Sequence, residues 1–379
     1  MPNQGMTPPG GTVNGQNWSS RKAALNDGEH IAWFDYAKGI CIILVVMMHS
    51  TLGVGITFAE RGLAAEGFMH WIVYYATPFR MPDFFMLAGL FLSLAIGRGW
   101  LHYLDKKVVH FAYFYVIWAV IQISIKTVAT GGLDAGALVS NFADALISPY
   151  APLWFIYVLP LFFVATKLLR AVPGPIMLAA AAVAHTIPIH TGWSAIDHFA
   201  APYYVFFLAG YLLAPAIFQA ANWAKANTGK ALTVVAAWAV LNGVLVFTAS
   251  PFAGWETAAD LPVVSVVLGL MGGLAIVLLA SQLEKFDIAR FVRYCGRNSI
   301  VLYISFTIPM AITRVVLLKT GLITDTGIAS MMVWLVALTV PLVVHLVLKR
   351  TPLRLLYERP SWISLPYRKP ASSRALSLV

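Results

Sequence analysis

Apolar residues run along this chain in blocks of membrane length, separated by short polar joins. With about 17 to 25 residues needed per membrane span, the pattern divides into ten segments: about Ala37 to Thr57, His70 to Gly97, Val108 to Ala129, Leu153 to Leu169, Ile176 to Ile189, Pro202 to Ala220, Leu232 to Ala249, Leu261 to Ser281, Ser299 to Leu318 and Gly327 to Leu348. An all-α, polytopic helical bundle in a lipid bilayer is therefore expected. The fifth segment is short. The second is long and interrupted by Pro78 and Pro82, which remove backbone donors and favour a kink or a re-entrant path. Thr130 to Ala151 is the longest join and reads as a small external cap.

The joins alternate in sign. One set carries Arg98, Lys106 and Lys107, then Lys167 and Arg170, Lys225 and Lys230, Lys285, Arg290, Arg293 and Arg297, and the basic tail after Lys349. The other carries Glu60, Glu66, Asp134, Asp144, Asp197, Glu256, Asp260 and Asp325, with Arg61 as its main exception. The positive-inside rule then puts both termini in the cytoplasm, which agrees with an even number of spans. Residues 1–30, rich in Gly, Pro, Asn, Gln and Ser near the start, read as a disordered cytoplasmic tail. Residues 31–350 read as one membrane domain, and 351–379 as a basic tail along the anionic inner surface. The first apolar segment has no small-residue cleavage site after it and is expected to remain as a span.

Composition supports this picture: 59% of the 379 residues are hydrophobic and only 11% charged, with a mean hydropathy of +0.76. The formal charge of +10 is spread in small groups between apolar segments, which suits membrane topology and argues against nucleic-acid binding. The two cysteines, Cys41 and Cys295, have neither metal-site nor disulfide-framework spacing, and no metal is expected.

Ionisable residues inside a membrane are costly, about 2.5 to 3.5 kcal/mol for Arg, Lys or Asp at a helix centre, so each calls for a reason. Lys38 and His49 stand eleven residues apart, about three helical turns and about 16 Å along one face, with Asp35 on nearly the same stripe. His49 reads either as a general base or as a histidine bonded between helices. Lys38 reads either as an anion-binding ammonium or as a residue snorkelling to headgroups, and the same pair of readings applies to Lys106 and Lys107. Asp35 pairs with Lys38 at i, i+3. Arg80 and Asp83, beside the proline-broken part of the second segment, read either as a local ion pair or as an oxyanion donor and the carboxylate that orients it or a nearby imidazole.

Asp35 to Gly39, followed by an apolar run to His49, resembles the opening Asp-x-x-Arg/Lys-Gly and the basic-x10-His motif of the acyltransferase 3 family of bacterial membrane O-acyltransferases, especially its fucose 4-O-acetylase-like branch. Phe79 to Gly89 resembles that branch's Phe-His-x-Pro-x-Phe-Phe-x-x-Ser-Gly, Leu153 to Phe155 its Leu-Trp-Phe, and Gly296 to Tyr303 its late Gly-x-x-Ser-x-x-x-Tyr. Four positions depart: Arg80 stands where histidine is common, Asp83 where an apolar residue is, Ala88 where serine is, and Phe306 where a histidine follows the late tyrosine. Lys107 to His110 falls where the branch has Arg-x-x-Arg.

The resemblance implies transfer of an acetyl or other short acyl group from acetyl-CoA or another acyl-CoA to a hydroxyl of a glycan or lipid-linked sugar at the bacterial inner membrane. In that scheme the CoA phosphates lie near Lys38, Lys106 and Lys107, His49 deprotonates the acceptor, and Arg80 stabilises the oxyanion. Two other classes fit the pattern of spans and buried charges: a proton-coupled secondary transporter and a structural subunit of a polysaccharide export assembly.

Overall fold

The computed structural model describes residues 31–131 and 134–366. The tail expected over residues 1–30 and the end of the basic tail, 367–379, lie outside the described residues. Among the described residues fourteen helices follow one another: α1 (Ala32–Ala59), α2 (Phe68–Ala95), α3 (Trp100–Gly131), α4 (Ala135–Ile147), α5 (Trp154–Ala171), α6 (Gly174–Thr186), α7 (Ala195–Leu212), α8 (Ala214–Ala226), α9 (Thr228–Val246), α10 (Pro262–Phe286), α11 (Arg290–Arg297), α12 (Ser299–Ser305), α13 (Thr307–Thr320) and α14 (Thr326–Leu348). There is no strand among the described residues, only an isolated bridge between Ala249 and Thr257. α3 contains a π-helical turn at Asp105–Val109, and α7 begins with another at Ala195–Ala200.

Six of these helices are long and apolar enough to cross a membrane, and up to eight spans result if the bent pairs α7–α8 (71°) and α12–α13 (48°) each count as one. Hydropathy alone anticipates ten. The difference lies in α2, which has the length but carries Arg80, Asp83 and two prolines, and in α6, whose 13 residues cover only about 20 Å. The join expected between Thr130 and Ala151 is mostly the short amphipathic helix α4, capped by the Asp134 carboxylate, which accepts from the Gly136 amide.

Large apolar side chains such as Val240, Val244, Val343 and Val347 are more than half exposed on α9 and α14. Such faces need lipid as their solvent. The molecule is an integral membrane protein whose axis is α1, packed against α2, α10, α11, α14 and both halves of the α12–α13 pair.

Close backbone packing fixes the helices around that axis. A Cβ on Gly39 would lie 1.9 Å from the Val292 carbonyl oxygen, and one on Gly296 would lie 1.7 Å from that of Asp35, so α1 and α11 touch backbone to backbone. α2 and α7 interlock in the same way through Gly89 against the Phe207 carbonyl and Gly210 against that of Met86. Small residues at such crossings maximise contact where lipid removes any hydrophobic drive between helices.

The basic tail does not simply run along the surface. Residues 352–364 form two short 3-10 turns that dock on α3: the Trp118 indole donates to the Leu356 carbonyl, and the Tyr113 hydroxyl to that of Leu355. Arg359 reaches the fully buried Asp105 carboxylate at 2.9 Å, and the Leu365 amide donates to the same group.

Candidate functional site

The four motif segments meet. Asp35 and Lys38 stand on the first turns of α1, and Asp35 accepts from both Lys38 Nζ (3.0 Å) and Arg297 Nε (3.2 Å). The Gly39 and Gly296 contacts therefore bring the opening motif and the late motif together. From the late motif, the Tyr303 hydroxyl accepts from the Phe155 amide (3.1 Å) at the start of α5, where the first turn of a helix leaves N–H groups unpaired. Phe155 in turn packs edge-on to Phe84 at 4.7 Å between ring centroids, and Phe85 lies 5.8 Å from Trp154, closing the circle through the α2 segment.

Inside that circle is a cavity of about 200 Å³. Lys38, Phe34, Phe84, Leu87, Ala88, Phe111, Phe155, Ile156, Leu159, Ser299, Ile300 and Tyr303 line it, so every motif contributes a wall. Its interior is almost wholly apolar, and among the described residues Lys38 is its only charged wall. Ala88, where the resembled branch has serine, makes it more so.

His49 lies three turns along α1 from Lys38, half-buried, with its ring 5.3 Å from that of Phe306. Phe306 sits at the α12–α13 bend and stands where the resembled branch places a histidine. Arg80 is close enough to act electrostatically on both His49 and Tyr203. No described residue hydrogen-bonds to the His49 imidazole. Ser50 and Thr51, next to His49 in the chain, Arg80 Nε, both Asp83 oxygens and Thr307, next to Phe306 in the chain, are buried with no hydrogen-bond partner among the described residues. Native interiors leave few such groups unpaired, so each calls for an explanation.

Arg80 and Asp83 do not form the local ion pair that their spacing allows. Arg80 Nη1 reaches back to the Val73 carbonyl at 3.4 Å, whereas Asp83 faces α10, where a Cβ on Gly273 would lie 3.2 Å from Asp83 Oδ1.

Lys106 and Lys107 are not walls of the cavity. Lys106 is 3.7 Å from Asp105 and half exposed, and the Lys107 ammonium lies 4.6 Å over the Phe163 ring. Phe163 stacks on Phe111, so Lys107 stands one ring behind the cavity wall. Sequence reasoning missed Arg297 and Phe306 as neighbours of the site; the late motif passes through one and ends beside the other. Among the described residues no group of three or more His, Cys, Asp or Glu side chains could hold a metal ion.

No solved structure matches this chain. The inner membrane protein YcfT of Escherichia coli K12 is 26% identical over 161 residues, which span 38% of this chain and 45% of that protein. A family model described as an acyltransferase domain matches residues 31–350. That match takes in all four segments that enclose the cavity as well as the helices that hold them, and the chain belongs to the acyltransferase 3 family.

Proposed function

We propose that this membrane acyltransferase moves an acetyl or similar short acyl group from acyl-CoA to a hydroxyl of a cell-surface or exported glycan. The convergence of Lys38, the α2 aromatics, Phe155 and Tyr303 on one apolar cavity carries the reading. An apolar slot with a cation at its mouth suits a thioester whose phosphates stay outside and whose acyl arm enters the bundle. The printed name of the Escherichia coli relative supports a bacterial inner-membrane location.

In this reading His49 and Arg80, neither of them a wall of the cavity, carry the chemistry. His49, about 16 Å along α1 from Lys38, takes the proton of the acceptor hydroxyl. The hydroxyl oxygen then attacks the thioester carbonyl, and the Arg80 guanidinium donates to the oxyanion that forms. Collapse breaks the carbon–sulfur bond, and the CoA thiolate takes the proton back from the imidazolium. No metal is required by these steps. Asp35 fixes Lys38 at the cavity mouth, while Asp83, turned toward α10, takes no step.

The test is CoA thiol release from acetyl-CoA by the protein in lipid nanodiscs, with and without a bacterial surface-glycan extract, for the wild type and His49→Ala. Release by the wild type that falls by a factor of about 10² to 10⁴ in a normally folded variant is the expected result for loss of a general base. Equal rates would remove His49 from the mechanism. Absence of release with every acyl-CoA offered, together with proton-linked uptake into vesicles, would favour a carrier instead.

A further inference from the structure

The cavity mouth carries more positive charge than its one lysine suggests. Asp35 is 5% exposed and lies between Lys38 and Arg297, each bonded to a different carboxylate oxygen. Arg297 uses Nε for that contact. Its two terminal nitrogens, the fork that matches a phosphate oxygen pair, bond no described residue, and the side chain is 50% exposed. Arg293 lies four residues earlier on the same face of α11, and its Nε is buried without a partner. Ser299 and Ile300, just after Arg297 in the chain, are walls of the cavity. Lys38 and Arg297 thus share the Asp35 carboxylate, with Arg293 about one turn earlier on α11, on two helices locked together at Gly39 and Gly296.

We propose that Arg297, with Arg293 and Lys38, forms the phosphate site at this mouth, and that its occupant is the nucleotide end of the CoA thioester donor. The proposal rests on the acyl-CoA reading above and moves the anion site from Lys106 and Lys107 to α11. Both lysines are already engaged elsewhere, by Asp105 and by the Phe163 ring. Arg290, also on α11, is likewise spoken for by Asp287, with which it forms an ion pair, so it serves as an internal control.

Phosphate at a membrane surface also comes from lipid headgroups, and the experiment separates the two sources. CoA and pantetheine, which shares the thiol arm but lacks the nucleotide and its phosphates, are titrated calorimetrically into the protein in phosphatidylcholine nanodiscs. The wild type, Arg297→Gln, Arg297→Lys and Arg290→Gln are compared after a check that all unfold at similar temperature. Arg297→Gln is expected to weaken CoA about tenfold or more, with the lysine variant recovering part of the loss. Pantetheine binding and the Arg290→Gln variant are expected to match the wild type.

Equal weakening of CoA and pantetheine would mean that Arg297 only holds α11 in place, and would overturn the proposal. Unchanged CoA binding in Arg297→Gln would overturn it while leaving the acyl-CoA reading intact. A wild type that binds no CoA would sink both. If adding phosphatidylglycerol to the nanodiscs abolishes the Arg297-dependent share of CoA affinity, the site belongs to lipid and the proposal fails.

Discussion

Asp83 has the least ordinary surroundings of any acidic residue in the bundle. It is fully buried, both carboxylate oxygens find no hydrogen-bond donor among the described residues, and Arg80, three residues away, is bonded to a backbone carbonyl instead. Removing one member of a true buried ion pair costs about 3 to 5 kcal/mol, because it strands the other charge. Here no partner is stranded, so Asp83→Asn is expected to unfold at the same temperature as the wild type or higher, measured by thermal denaturation in detergent. A loss on the order of 3 kcal/mol would mean that the carboxylate does have a partner. The sequence makes such residues conspicuous through their cost in a membrane, and it makes Lys38 and His49 legible because one continuous helix fixes their relation. It is silent on whether Arg80 and Asp83 face one another. The i, i+3 spacing permits a pair, and the long-range packing of α2 on α7 and α10 decides otherwise. Phe306 is hidden for the same reason: 257 residues separate it from the His49 ring it touches.

Between elements, the glycines of the two end motifs have a shared physical cause. Gly39 and Gly296 look like unrelated features of distant segments, yet each accommodates a carbonyl of the other's helix. Gly296→Ala would push a methyl against the Asp35 carbonyl oxygen, a backbone atom that cannot rotate away. Overpacking of this kind costs about 1 to 3 kcal/mol or more, and it would part Lys38 from Arg297. Lowered thermal stability together with weakened CoA binding is therefore expected for Gly296→Ala. Gly97→Ala, where an added Cβ meets nothing within 4 Å, should stay within about 0.5 kcal/mol of the wild type. Equal behaviour of the two variants would contradict the interlock. Hydropathy locates helices such as α1, α10 and α14 well because each is a long uninterrupted apolar run. It locates α11 poorly, since that helix is short, carries three arginines and reads as a polar join. The docked segment at 352–364 escapes for a related reason: its anchors, Asp105 with Arg359 and Trp118 with the Leu356 carbonyl, are pairings across more than 230 residues.

At the scale of the whole molecule, the side-chain links sort the joins into two groups that match their charges. Basic joins link to basic joins: Asp35 to Arg297, Lys225 to Glu284, Lys167 Nζ to the Ile96 and Arg98 carbonyls, and Asp105 to Arg359. Acidic joins link to acidic joins: Arg61 to the Leu318 carbonyl, Thr326 to that of Ala64, and Trp193 to that of Ile147. Even the short α6 obeys this sorting. Its Gly174 end packs on Leu212, next to the α8 side that carries Lys225, and the join that follows it reaches Ile147 at the opposite end through Trp193. α6 itself has 13 residues, about 20 Å, and is followed by extended residues after Thr186 and by the π-turn that opens α7. Two-sided sorting with the cations on one side is the pattern that the positive-inside rule describes, and it predicts that the side that holds Lys38 and Arg297 faces the cytoplasm. Single cysteines introduced at Phe252 and Leu322, both exposed in acidic joins, are therefore expected to react with a membrane-impermeant maleimide on intact cells. Cysteines at Lys230 and Ile288, exposed at the basic end, should react only after lysis. Labelling of residue 288 on intact cells would invert the molecule and place the cavity mouth away from the cytoplasmic pool of CoA, so this experiment tests topology and donor access together.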